Sequence, residues 1–176
     1  MTCDDSILVV IVVFGQQSTA NIVRCLNIIN VKFQLVLPEE IPHFTYSHII
    51  LSSSSRHEER DMPSWITYSQ APVLGIGYGM ELIATYFGAT LQNLETKEMC
   101  LRYVTEISGG KRSEQSRWIH RHSRVINIPT SFSVVGVMDC DVIAFTDYKK
   151  WWAVQYHPEA PNHVDTSIFK RFLNIK

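Results

Sequence analysis

Pro72-Val73-Leu74-Gly75-Ile76-Gly77-Tyr78-Gly79-Met80-Glu81 is the stretch that decides the fold. An apolar run stops at a G-x-G-x-G turn, and an amphipathic run, Glu81 to Phe87, follows. The order predicts a strand, a very tight turn and a helix, which is the layout of a nucleophile elbow. Such an elbow normally presents Ser or Cys from a strained backbone at a helix N-terminus. Its central residue here is Gly77, which has no side chain to attack with. Glycine adopts positive φ at little cost, whereas another residue at this point stores about 1–3 kcal/mol of strain.

Outward from the elbow, strands and helices alternate through the first half. Strands are expected at Ile7–Phe14, Val31–Leu37, Ile49–Leu51 and Val73–Ile76, with a helix over Thr19–Ile29. That alternation predicts a mainly parallel sheet with right-handed crossovers. Shorter strands are expected at Leu101–Ile107, Arg124–Ile128, Ser133–Met138 and Val142–Thr146. Trp151–Tyr156 returns to the core and Ile168–Leu173 forms a closing helix. In open α/β sheets the site lies beyond the C-terminal strand ends. The serine run Ser52–Ser55, the elbow and the His157 loop all follow strands, so they can converge on one edge. No repeat or linker interrupts residues 1–176, and one domain is expected.

These residues resemble the class I (Cys-His-Glu) glutamine amidotransferase family, and within it the glutaminase part of GMP synthetases. The family's elbow reads G-I-C-Y-G-M-Q, against Gly75-Ile76-Gly77-Tyr78-Gly79-Met80-Glu81 here. Its second motif, V-Q-F-H-P-E, is matched by Val154-Gln155-Tyr156-His157-Pro158-Glu159. Phe14-Gly15-Gln16-Gln17 resembles the F-G-S-Q loop, and His48 to Ser52 the strand before an S-G-G-P loop. Trp118 to Pro129 falls where the family has W-x-S-H-G-D. The resemblance implies an α/β, flavodoxin-like fold: a mostly parallel central sheet flanked by helices, with a smaller antiparallel sheet in the second half.

It also implies roles, and the departures fall on them. The nucleophile position is Gly77, and only His157 and Glu159 of the triad remain. The oxyanion donors would be the N–H groups of Tyr78 and of Ser53 or Ser54, which replace the paired glycines. The substrate-holding glutamine is Glu81, and S-H-G-D becomes His120-Arg121-His122-Ser123. A carboxylate accepts hydrogen bonds but cannot donate as an amide does, so weak or absent binding of free glutamine is expected. Cysteine-based amide hydrolysis needs a thiolate, a histidine and an orienting carboxylate. With the thiol missing, His157 and Glu159 are read as relics making ordinary hydrogen bonds.

Composition constrains the rest. A net charge of -1 gives no global attraction to nucleic acid or membrane. Ile7–Phe14 is too short to span a bilayer and follows Asp4 and Asp5, unlike a signal peptide. Cys3, Cys25, Cys100 and Cys140 show no C-x-x-C spacing, so a reducing, cytoplasmic setting is expected. His120 and His122 could share a strand face and, with His157 and Glu159, suggest a metal site; exposed histidines are the commoner outcome, and neither metal nor cofactor is expected. Lys111, Arg112, Arg117, Arg121 and Arg124 read as a basic loop between two strands, more apt for a partner protein than for nucleic acid. Of Trp151 and Trp152, one points inward and the other is expected outward, as an interface anchor.

The expected function is a catalytically inactive amidotransferase-like protein that acts by binding or regulating a protein partner. The partner that the resemblance suggests is a synthetase subunit of the ATP-pyrophosphatase type, within purine nucleotide synthesis. The alternative is a working glutaminase subunit of a two-subunit GMP synthetase, with Gly77 an engineered or artefactual replacement. Ranked lower is a different reaction using His157 and Glu159 as a base pair.

Overall fold

The structure, a computed structural model, describes residues 7–55 and 61–175. Its elements in chain order are β1 (Leu8–Val12), α1 (Gln16–Ile28), β2 (Lys32–Val36), β3 (His48–Leu51), α2 (Ser64–Tyr68), β4 (Val73–Ile76), α3 (Tyr78–Tyr86), β5 (Thr90–Ser108), β6 (Lys111–Ile126), β7 (Ser133–Met138), β8 (Asp141–Thr146), β9 (Trp151–Val154) and α4 (Ser167–Leu173). Among the described residues, nine strands form one sheet in the order β2-β1-β3-β4-β9-β8-β6-β5-β7. The pairs β1–β2, β1–β3, β3–β4 and β4–β9 are parallel. From β9 onward the pairing is antiparallel. The antiparallel strands of the second half are continuous with the parallel ones through β8–β9, and β7 meets both β5 and β8.

The unbroken apolar run of β1 has a direct cause. Successive side chains on a strand face opposite ways, and both faces of this sheet are covered. Val9, Ile11, Ile50, Leu74 and Ile76 pack on one face with Ile22 and Leu26 of α1 and Phe169 and Phe172 of α4. Val10, Val12, Ile49, Leu51 and Val73 pack on the other with Trp65 and Ile66 of α2 and Met80 and Ile83 of α3. A parallel strand buried on both sides reads as continuously hydrophobic.

The same two-sided burial corrects the expectation for the tryptophans. Trp151 belongs to the second face, and Trp152 packs partly buried against the first. Neither is a free outward anchor. The basic residues are also differently placed. Lys111 to Arg124 lie within β6, the second arm of a long hairpin that turns at Gly109-Gly110 with φ of +54° and +76°. Two glycines at positive φ form a tight two-residue hairpin turn, and the pair was a readable signal. Arg117 and Arg121 are buried, not part of a solvated loop. Arg117 pairs with Glu106 at 2.9 Å and with Asp165. Cys140 lies exposed in the turn between β7 and β8, not in a strand, and Cys3 lies outside the described residues.

The five-residue helix α2 is too short to hold itself. Lys150 Nζ donates to the carbonyls of Ile66, Thr67 and Ser69 at 3.0, 2.9 and 2.5 Å, satisfying acceptors a helix end leaves open. Lys150→Met keeps most of the stem but removes these donors. It should lower stability by about 1–2 kcal/mol, read as a lower urea midpoint at unchanged slope. An unchanged midpoint would show that water replaces the ammonium without loss.

Candidate functional site

Four parallel strands end on the same edge, and the loops beyond their C-termini meet there. After β4 the chain turns at Gly77, with φ 54° and ψ −109°, directly into α3. Gly77 N–H donates to Val154 O at 2.8 Å, tying the elbow to β9. After β9, His157 N–H donates to Trp118 O at 2.8 Å, which fixes the histidine loop against β6. After β3 comes the serine run. Ser52 Oγ accepts the N–H groups of Phe14 and Gly15 at 2.9 and 3.4 Å, joining it to the loop after β1.

His157 and Glu159 are 7% and 2% exposed. His157 Nδ1 lies 2.9 Å from Glu159 Oε1, and Nε2 lies 3.2 Å from His120 O. Both ring nitrogens therefore face acceptors, which favours a ring protonated at both. Burial alone pushes the imidazole toward neutrality, but the charge and hydrogen bond of Glu159 outweigh it. The His120 carbonyl and the Glu81 charge add to the effect, and the ring is held above the ordinary histidine range.

A Cβ built on Gly77 would stand 3.0 Å from His157 Nε2 and 2.5 Å from Ser53 Oγ. The missing side chain thus aims at the histidine, as a nucleophile's would. Tyr78 N–H, the first amide after the elbow, donates to Ser53 Oγ at 3.2 Å. Ser53 N–H donates to Ser18 Oγ at 3.1 Å, and Ser18 Oγ donates to Glu159 Oε1 at 2.8 Å. Ser54 is half-buried beside Gly15. Ser18 and Ser52 both bind within this junction, and sequence reasoning assigned neither a role. The available signal was a hydroxyl on the first turn after the Phe14-Gly15 loop.

Glu81 is 2% exposed on the first turn of α3 and accepts Ser123 Oγ at 2.6 Å. His120 and His122 are half-buried rather than open to solvent. Their rings lie 5.6 Å apart, and the His120 and His157 rings 5.5 Å apart. Arg121 is directed elsewhere. Its guanidinium pairs with Glu98 and Asp141 at 2.7 and 2.8 Å, bracing the hairpin. Among the described residues, no group of three or more His, Cys, Asp or Glu is placed to hold a metal ion. Nor, among the described cysteines, is a thiol ready to replace the missing one. Cys25 on α1 is pushed up to about 11 by burial first and then by the Glu159 charge, which makes it inert at neutral pH. Cys100 is half-buried in β5. No helix among the described residues is long and apolar enough to cross a membrane.

A doubly covered α/β sheet, an elbow at one strand end and a His-Glu pair beside it define an amidotransferase-type architecture. The class I glutamine amidotransferase family model matches residues 10–175, and the chain belongs to that family. It is 30% identical over 167 residues to the GMP synthase [glutamine-hydrolyzing] of Vibrio vulnificus, covering 86% of this chain and 32% of the relative. To the enzyme of the same name from Thermotoga petrophila it is 29% identical over 163 residues, again with 86% and 32% covered. The chain thus spans about a third of the length of the curated relatives it matches.

Among solved structures, a GMP synthase-type protein from Thermoplasma acidophilum superposes with a TM-score of 0.82. That match has 23% identity and covers 98% of this chain and 94% of the other. A glutamine amidotransferase from Thermotoga maritima gives a TM-score of 0.72 at 17% identity, covering 96% of this chain and 83% of that one. These two likenesses establish the fold.

Proposed function

We propose that this chain is a class I amidotransferase-family protein without glutaminase activity, and that it acts by binding or regulating a protein partner. The observation that carries the reading is Gly77 at the elbow, where the only atoms that face His157 are backbone. A thioester cannot form without a thiol. The setting of His157 is a further support, since a ring nitrogen directed at the His120 carbonyl, with the other on Glu159, is not poised to accept a proton from a nucleophile. Glu81 replaces an amide that would hold the substrate with a carboxylate engaged by Ser123. The partner suggested by the relatives' names is the synthetase portion of a GMP synthase, of the ATP-pyrophosphatase type, supplied as a separate chain.

A second reading is favoured by one observation, the intact His157–Glu159 pair at 2.9 Å. On that reading the chain is the glutaminase subunit of a two-subunit GMP synthetase, and Gly77 stands in place of a native cysteine. The chain carrying Gly77 should be inactive on either reading, so the native coding sequence separates the two. Purified chain, alone and with an added synthetase subunit, is expected to release no glutamate from glutamine above the protein-free rate. Measurable release would sink the inactive reading. A cysteine codon at position 77 in the native coding sequence would establish the second. For the binding role, the synthetase subunit of the source cell is expected to co-sediment with the chain in analytical ultracentrifugation; independent sedimentation would remove it as the partner.

A further inference from the structure

Three contacts meet at Ser53, a residue 7% exposed. Its Oγ lies 2.5 Å from the point where any side chain at Gly77 would begin. The same Oγ accepts Tyr78 N–H at 3.2 Å. That amide is the donor an anionic oxygen forming at this turn would receive. The N–H of Ser53 is committed as well, to Ser18 Oγ and through it to Glu159. Its hydroxyl and its amide are therefore both engaged inside the site.

We infer that Ser53 is the residue that closes this site: its hydroxyl crowds the point where a nucleophile's Cβ would stand and holds the Tyr78 amide hydrogen, so the elbow is shut against acyl chemistry at two linked positions. The inference deepens the inactive reading above and rests on it. A Cβ at position 77 requires the Ser53 hydroxyl to move, because heavy atoms do not approach to 2.5 Å without a hydrogen bond between them. Conversely, a hydroxyl seated there requires position 77 to be glycine. Restoring the thiol alone should therefore displace the Ser53 hydroxyl and break its bond from the Tyr78 amide. Ser53 is not a displaced nucleophile either. His157 Nε2 is directed at His120 O, and the Ser53 oxygen already accepts the Tyr78 amide hydrogen.

The test compares Gly77→Cys with the double variant Gly77→Cys/Ser53→Gly in the full chain. Both place cysteine in the strained elbow, so their difference isolates the Ser53 side chain. Gly77→Cys should melt about 4 °C or more below the parent, as an overpacked site does. Adding Ser53→Gly should return the part of that loss that comes from the Ser53 hydroxyl and leave the part that comes from the strained elbow. Alkylation of the position-77 thiol by iodoacetamide, mapped by mass spectrometry, should be about tenfold faster in the double variant, because access governs thiol reactivity. A single variant that melts with the parent, or alkylates as fast as the double, overturns the inference. Labelling of Ser53 in the parent by a fluorophosphonate also overturns it.

If neither cysteine variant folds, Ser53→Gly alone decides. Exchange of the Tyr78 amide hydrogen should then rise about fivefold through loss of its acceptor, and unchanged exchange refutes the contact. Glutamate release by the parent would sink the inactive reading and leave these melting, alkylation and exchange comparisons to be judged separately.

Discussion

Glu159→Ala should lower the unfolding free energy by about 3 kcal/mol, near the lower end for breaking a buried ion pair. The carboxylate receives His157 Nδ1 at 2.9 Å and the Ser18 hydroxyl at 2.8 Å, with 2% of the residue exposed. Removing it leaves a buried imidazole nitrogen and a buried hydroxyl without their shared acceptor. The loss stays near the low end because the ring can release its proton and remain buried as a neutral group. For a chain of this size it corresponds to roughly 6–12 °C in melting temperature.

The pH dependence of that loss has a definite sign. His157 is held above the ordinary range, so the stability it contributes is complete below its unfolded value of about 6.5. It fades as pH rises through the raised folded value. His48 acts in the opposite sense: burial lowers it, so it disfavours the folded state as pH falls through about 6.5. That contribution is common to parent and variant and cancels in their difference. The gap in melting temperature between parent and Glu159→Ala should therefore be widest near about pH 6 and narrow with rising pH. A gap that widens with pH would show that His157 is neutral in the folded protein. The absence of any gap would show that the pair contributes nothing.

Gly79→Ala should be of comparable size and for a purely steric reason. Gly79 lies in the first turn of α3, where alanine's helix propensity would favour the substitution by about 1 kcal/mol. A Cβ there would meet Leu51 O at 2.5 Å and Leu51 Cβ at 2.7 Å. The first of these is backbone at the end of β3, buried between neighbouring strands, and cannot swing aside. The helix must retreat from the sheet, so a net loss of about 3 kcal/mol is expected, at the upper end for overpacking. The retreat also carries Tyr78 N–H away from Ser53 Oγ, so exchange of that amide should accelerate with the fall in urea midpoint. An alanine variant as stable as the parent would mean that α3 and β3 do not approach so closely.

Much of the first half was legible because its signals are local. The apolar runs of β1, β3 and β4 are continuous since each is buried on both faces, and the glycines around Ile76 mark a strand meeting a helix. The hairpin was less legible. Its long strands are amphipathic, with exposed Met99, Leu101 and Tyr103 on β5 and buried Arg117 and Arg121 on β6. Charge suggested a loop, whereas the arginines are buried in ion pairs with Glu106, Asp165, Glu98 and Asp141. Such pairing depends on partners far along the chain, which periodicity cannot reveal. The same limit hid the environment of Trp152, since a residue alternating away from one core here meets another.

From residue identity alone it followed that position 77 carries no side chain to attack with, that His157 and Glu159 are two positions apart, and that position 81 is a carboxylate. Chemical identity is a property of each residue and needs no fold. Only the tertiary structure decided which groups surround the bare Gly77. Ser53 and Tyr78 are 25 positions apart, and Ser18 and Glu159 are 141 apart. Their contacts exist because β1, β3, β4 and β9 run parallel and deliver their following loops to one edge. A serine in that loop reads on paper as a lost glycine; in the folded chain its hydroxyl lies 2.5 Å from where a side chain at position 77 would begin.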